Sequence, residues 1–158
     1  MTKILVSVDG SGGADHILPH VAALAAATHA TVHILRVLDP LLDAHAEFAT
    51  ELETAVRRVE AQWLQGLREL IARFGLEGEA EVRRLPRRRD VSDVIAAAAD
   101  DLEANVIALH SQGNSALRHM FRGSTVLDVV ARAGRPVIAT GGKAAAPKAA
   151  APYRVLVT

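Results

Sequence analysis

Along this chain the spacing of apolar positions switches back and forth between the period of a strand and that of a helix. Residues 3–8 are a short β-branched run that stops at Asp9-Gly10-Ser11-Gly12-Gly13, which predicts a strand and then a loop. Over 15–28, Ile17, Val21, Leu24 and Ala25 recur at helical spacing, the mark of an amphipathic helix. Residues 31–38 are nearly all apolar apart from His33 and Arg36, a second strand ended by Asp39-Pro40. A long helical stretch follows at 44–74, where Leu52, Val56, Val59, Trp63, Leu67, Leu70 and Ile71 keep the spacing and Gly75 fits a C-terminal cap. The pattern then predicts a strand at 79–85, a helix with a mostly alanine face at 91–102 and a strand at 105–109. A helix at 124–133 and a strand at 137–140 complete it, with Gly134-Arg135-Pro136 as the turn between them.

Strands alternating with helices imply parallel strands joined by right-handed crossovers. The expected fold class is α/β: an open, mostly parallel five-stranded sheet with helices on both faces, doubly wound and Rossmann-like. Ligands of such sheets bind beyond the carboxyl ends of the strands, where the strand order reverses. The segments expected to carry function are therefore 7–13, 37–40 and 110–124. One domain is expected over 1–141. An Ala/Lys/Pro linker follows at 142–152, and 153–158 reads as an extra C-terminal strand.

Composition narrows the function class. A chain of 158 residues can bury a core without metal or disulfides, and with only 3% aromatic residues that core must be aliphatic. Eighteen basic residues balance eighteen acidic ones, which argues against a dedicated nucleic-acid or membrane-surface protein. The absence of cysteine excludes disulfides, thiol catalysis and Cys-ligated zinc. The opening residues lack the pattern of a signal peptide, and the longest apolar run is far short of the ~20 residues of a membrane helix. A cytoplasmic protein is the expectation.

The chemistry concentrates between the fourth strand and the fourth helix. Gly113 stands at the strand's exit, nine residues follow, and Gly123-Ser124 opens the helix. Glycine lets backbone N–H groups approach an anion, and a helix N-terminus presents unpaired N–H groups and a partial positive charge. Ser124 can bond a phosphate oxygen, or serve only as an N-cap. Arg118 and Arg122 lie within the nine-residue spacer, well placed for phosphates. Asp9, at the end of the first strand, can equally cap its own turn.

This arrangement resembles the universal stress protein family, whose signature is Gly, two residues, Gly, nine residues, then Gly-Ser or Gly-Thr. Gly113, the spacer and Gly123-Ser124 match it. The opening Lys3-Ile4-Leu5-Val6-Ser7-Val8-Asp9-Gly10-Ser11 is similar to the family's first strand and loop. Val37-Leu38-Asp39-Pro40 and Gly134-Arg135-Pro136-Val137-Ile138 resemble its second and closing strands, so the likeness covers about residues 2–141. The resemblance implies that Asp9 meets a ribose and the Val37 backbone an adenine. It implies that Gly113, Gly123 and Ser124, with Arg122 and Thr125 beside them, hold phosphates. The implied ligand is ATP or AMP, with magnesium as a candidate companion. One position departs: His110 stands where the signature has its first glycine. Its imidazole either crowds the ribose or swings aside and bonds the nucleotide.

Other constellations are weaker. His16 and His20 lie one helical turn apart without a third metal ligand in sight, and read as surface histidines. Ser, His and Asp occur without a nucleophile elbow, which sets triad catalysis aside. Arg83, Arg84, Arg87, Arg88 and Arg89 form a basic patch, read as a solvated loop or as the contact for an acidic protein partner. No general base is placed for hydrolysis, so slow ATP hydrolysis stays open and no enzymatic reaction is assigned. The expected function is an adenine-nucleotide-binding homodimer of stress response or signalling. The alternative is a nucleotide-free dimeric interaction protein of the same fold.

Overall fold

The computed structural model describes residues 1–41, 49–111 and 124–141. Five strands, β1 (Lys3–Ser7), β2 (Thr31–Leu38), β3 (Gly78–Arg84), β4 (Val106–Ser111) and β5 (Val137–Gly141), make one parallel sheet in the order β3-β2-β1-β4-β5. Four helices connect them: α1 (Ala14–Thr28), α2 (Ala49–Arg73), α3 (Val91–Asp101) and α4 (Ser124–Ala133). The chain builds outward from β1 to β3, then returns to lay β4 on the other side of β1. The strand order therefore reverses between β1 and β4.

The central strands are buried on both faces, which is why 3–8 and 31–38 read as continuous apolar runs. Successive side chains point to opposite sides. Ile4, Val6 and Ile34 pack under Ile17, Leu18 and Val21 of α1 and Leu67 of α2. Leu5, Leu35 and Ile107 pack on the other face, under Ile95, Ala98 and Ala99 of α3 and Val129 of α4. The alanine face of α3 lets that helix lie close to the sheet. Gly75 ends α2 as the sequence suggests, with Leu76 N–H donating to Ile71 O at 3.0 Å.

Several boundaries move by a residue or two. β4 runs on through His110 to Ser111, because His110 pairs in register with Thr140 and Ser111 with Gly141 of β5. β3 starts at Gly78, which sits opposite Val32 of β2. Residues 44–48 of the long predicted helix, the linker at 142–152 and the extra strand at 153–158 lie outside the described residues.

The structure divides the arginine patch. Arg84 reaches back to α2, where Glu53 accepts at 2.8 Å and Glu60 also accepts. Arg83 donates to Glu81 and Asp101, each at 2.7 Å. Arg87, Arg88 and Arg89 remain exposed in the turn after β3. Hydrogen bonds from Arg84, and then Arg57, hold the Glu53 carboxyl at about 2, against an ordinary 4.5. A depressed carboxylate stabilises the fold above its unfolded value and loses that contribution as pH falls towards the folded one. Replacing Arg84 with methionine is expected to flatten the fall in melting temperature between about pH 4.5 and pH 2, measured by circular dichroism. A variant whose acid profile parallels wild type would show that this pair contributes nothing to acid sensitivity.

Candidate functional site

At the carboxyl end of the sheet the strands stop at different heights, and a crevice results. The β1–β2 ladder ends at Ser7 opposite Leu35, with Val8 N–H donating to Leu35 O at 3.0 Å. β2 runs on to Leu38, still paired with Arg84 of β3. Along a parallel ladder, alternate residues direct their backbone groups to the same side. Val37 therefore faces the side that Leu35 faces, where the chain has already turned away at Asp9. Among the described residues no strand pairs with that backbone edge of Val37, while its side chain packs into the core beneath α3.

Asp9 caps its own turn. Its Oδ1 accepts from Ser11 N–H at 2.9 Å and from the Ser11 hydroxyl, so the short polar side chain shapes the first loop. Arg36 flanks that loop: its guanidinium lies 3.3 Å from the Trp63 ring centroid of α2 and covers Gly10. The stacked cation ties the loop to the helix layer.

His110 occupies the floor of the crevice and is 9% exposed. Its Nδ1 is hydrogen-bonded to Thr140 Oγ1 at 2.8 Å, which anchors the ring to β5. The ring stacks on His16, in the first turn of α1, with centroids 5.1 Å apart and planes 22° from parallel. It also presses on Gly13. A Cβ at residue 13 would sit 2.5 Å from His110 Cδ2 and 3.0 Å from Cγ, so only glycine lets the loop come this near. Burial lowers the pKa of His110 from the ordinary imidazole value, His16 adds to that, and Asp9 partly offsets it. The ring is thus neutral at pH 7. What remains between Asp9, Gly13, His110 and Val126 is a cavity of about 10 Å³, room for at most one water.

Val126 belongs to the first turn of α4, so the amino end of that helix stands beside the same cavity. Ser124 and Thr125 open α4 where the sequence places the helix start. Gly113, Arg118, Arg122 and Gly123 lie outside the described residues. The structure thus brings Asp9, Val37, His110 and the start of α4 to one end of the sheet. His16 is the residue that sequence reasoning missed. It and His20 are not the surface histidines expected: His16 is half-buried against His110, and Nε2 of His20 is buried. No local signal marks His16, because its neighbour comes from a distant strand. Among the described residues, no group of three or more His, Asp or Glu could hold a metal ion. Among the same residues, no helix is long and apolar enough to cross a membrane.

Comparison with known proteins agrees with this architecture. Residues 1–140 match the model of the Universal stress protein family. A universal stress family protein from Burkholderia pseudomallei is 25% identical, with a TM-score of 0.64 over 88% of this chain and 95% of its own. A universal stress protein from Archaeoglobus fulgidus, solved in complex with dAMP, is 22% identical, with a TM-score of 0.58 over 88% and 97%. A universal stress protein in complex with cAMP is 18% identical, with a TM-score of 0.57 over 89% and 96%. No curated protein sequence matches significantly.

Proposed function

This chain belongs to the universal stress protein family, and on that premise we propose that it is an adenine-nucleotide-binding module. Its ligand is ATP or AMP, and it acts in stress response or signalling as a cytoplasmic homodimer. The observation that carries this reading is the crevice where β1 leaves the sheet. Asp9 stands on one wall, the Val37 backbone edge on the other, and the first turn of α4 beside them. Relatives of the same fold bound to dAMP and cAMP support the ligand class.

In this reading Asp9 meets the ribose and Val37 the adenine. Gly113, Arg122, Gly123, Ser124 and Thr125 cradle the phosphates, using the unpaired N–H groups and positive end of α4. With no metal-holding cluster among the described residues, magnesium would arrive on the phosphates. Residues 1–141 are the binding module, with 142–152 as linker to the strand at 153–158. Mass spectrometry of the denatured, purified protein tests the reading by the nucleotide it releases, and sedimentation equilibrium tests the homodimer. Gly123→Val with Ser124→Ala is expected to weaken ATP at least ~10-fold, since charge-assisted hydrogen bonds contribute about 1.5–3 kcal/mol each. Calorimetry giving equal affinity in wild type and double variant would remove the phosphate role.

One observation favours a second reading. His110 fills the space over Gly13, as a nucleotide-free interaction protein would tolerate. That protein would offer the exposed Arg87, Arg88 and Arg89 to an acidic partner. A chain that releases no nucleotide and fails to bind ATP or AMP on titration would establish this alternative.

A further inference from the structure

The stacked pair of imidazoles is the feature of the site that nucleotide binding alone does not explain. One ring is anchored to Thr140 and the other rides on the first turn of α1. We infer that His16 and His110 form an acid-operated selector for phosphate-bearing ligands. In its neutral form the His110 ring, stacked on His16, closes the space between Asp9 and Gly13. Once protonated, His110 leaves Gly13 and its imidazolium takes the ligand's phosphate. This role presupposes that the crevice binds a nucleotide, as proposed above.

The surroundings of His110 determine the sign. From the β1 loop it faces Asp9, from α1 it faces His16, from β5 the neutral Thr140, and from α4 the apolar Val126. Further charge near His16 is committed or distant: Asp15 is paired with Arg73 of α2, and His20 lies one turn along α1. The neutral His110 ring stacks well on His16 at 5.1 Å, but an imidazolium at His110 is disfavoured there, by burial first and by His16 second. Protonated His110 can relieve that cost by moving out or by gaining an anion. Separation also opens the space, because the His110 ring itself is what blocks Gly13.

Linkage gives the pH window. His110 is neutral in the free protein at pH 7, with its pKa below the usual 6.5. A bound phosphate favours the imidazolium and raises that value. Affinity is therefore weakest above the bound-state pKa. It strengthens as pH falls through that value and levels off once the free protein is protonated too. One linked proton changes affinity by at most about tenfold per pH unit.

The test uses cAMP, whose phosphodiester keeps a single negative charge across the window, so the ligand's own titration does not intrude. Wild-type protein is expected to bind cAMP about tenfold more tightly at pH 5.5 than at pH 8. Calorimetry near pH 6.5 in two buffers of different ionisation heat should show uptake of about half a proton per cAMP bound, the most that a tenfold change allows. His110→Gln, which cannot take the proton, should bind with little pH dependence. His16→Gln, which removes the like-charge neighbour, should keep the dependence but move it to higher pH. Binding by wild type without proton uptake, or the same pH profile in His110→Gln, overturns the selector and leaves the nucleotide site standing. Binding by His110→Gly alone reveals a ring that acid does not move, and also overturns it. No binding of cAMP or ATP by wild type or His110→Gly at either pH overturns the nucleotide site and the selector together.

Discussion

Replacing Leu5 with alanine is expected to destabilise the protein by about 3–4 kcal/mol, a large share of a typical domain's total. Leu5 sits on the central strand, paired with His33 of β2 on one side and Ile107 of β4 on the other. Its side chain is fully buried in the cluster formed with Leu35, Ile95, Ile107 and Val129. Both flanking strands are held by their own ladders and α3 is already close to the sheet. The wall cannot collapse into the gap, and a cavity cost adds to the lost transfer energy. Melting temperature should fall by roughly 6–15 °C. A fall of under about 3 °C would mean that α3 and α4 close over the missing methyl groups.

Replacing Gly78 with alanine is expected to cost about 3 kcal/mol, from one added carbon. Gly78 opens β3 opposite Val32, and a Cβ there would overlap the Val32 carbonyl oxygen and lie 2.6 Å from the carbonyl carbon. The obstacle is backbone, so no rotamer change relieves it. Val32 cannot retreat either: its N–H donates to Glu77 O at 2.8 Å, and the preceding residue, Thr31, is bonded to Thr2 O at 2.9 Å. The strain should peel β3 from β2 and take α2 with it, since Val82 of β3 packs with Leu38, Val56 and Trp63. Urea denaturation would register the loss as a lower midpoint, and hydrogen exchange should localise it to residues 78–84. Unchanged exchange in β3 with normal stability would show that the ladder can shift at its start.

These two sites differ in how far the sequence betrays them. Leu5 lies in an apolar run, and burial on both faces follows from that run and from the alternation of strands with helices. Gly78 carries no such signal; the predicted strand began one residue later, at Glu79. Only the register between β2 and β3 reveals that a second backbone passes where its side chain would be.

The same division runs through the candidate site. Local order is written in local spacing. The sequence alone determined the class of fold, the start of α4 at Ser124 and the cap at Gly75. Hydrophobic period, glycines and caps act over a few residues, so they are visible before any folding. The tertiary structure decided whom each polar side chain meets. It turned Arg83 and Arg84 from a basic surface into partners of Glu81, Asp101, Glu53 and Glu60. It carried β4 through His110 to meet Thr140, and set His16 against the same ring. Those contacts join α1, β4 and β5, which are far apart in sequence. Their distances depend on strand order and helix packing, which spacing along a single chain does not encode.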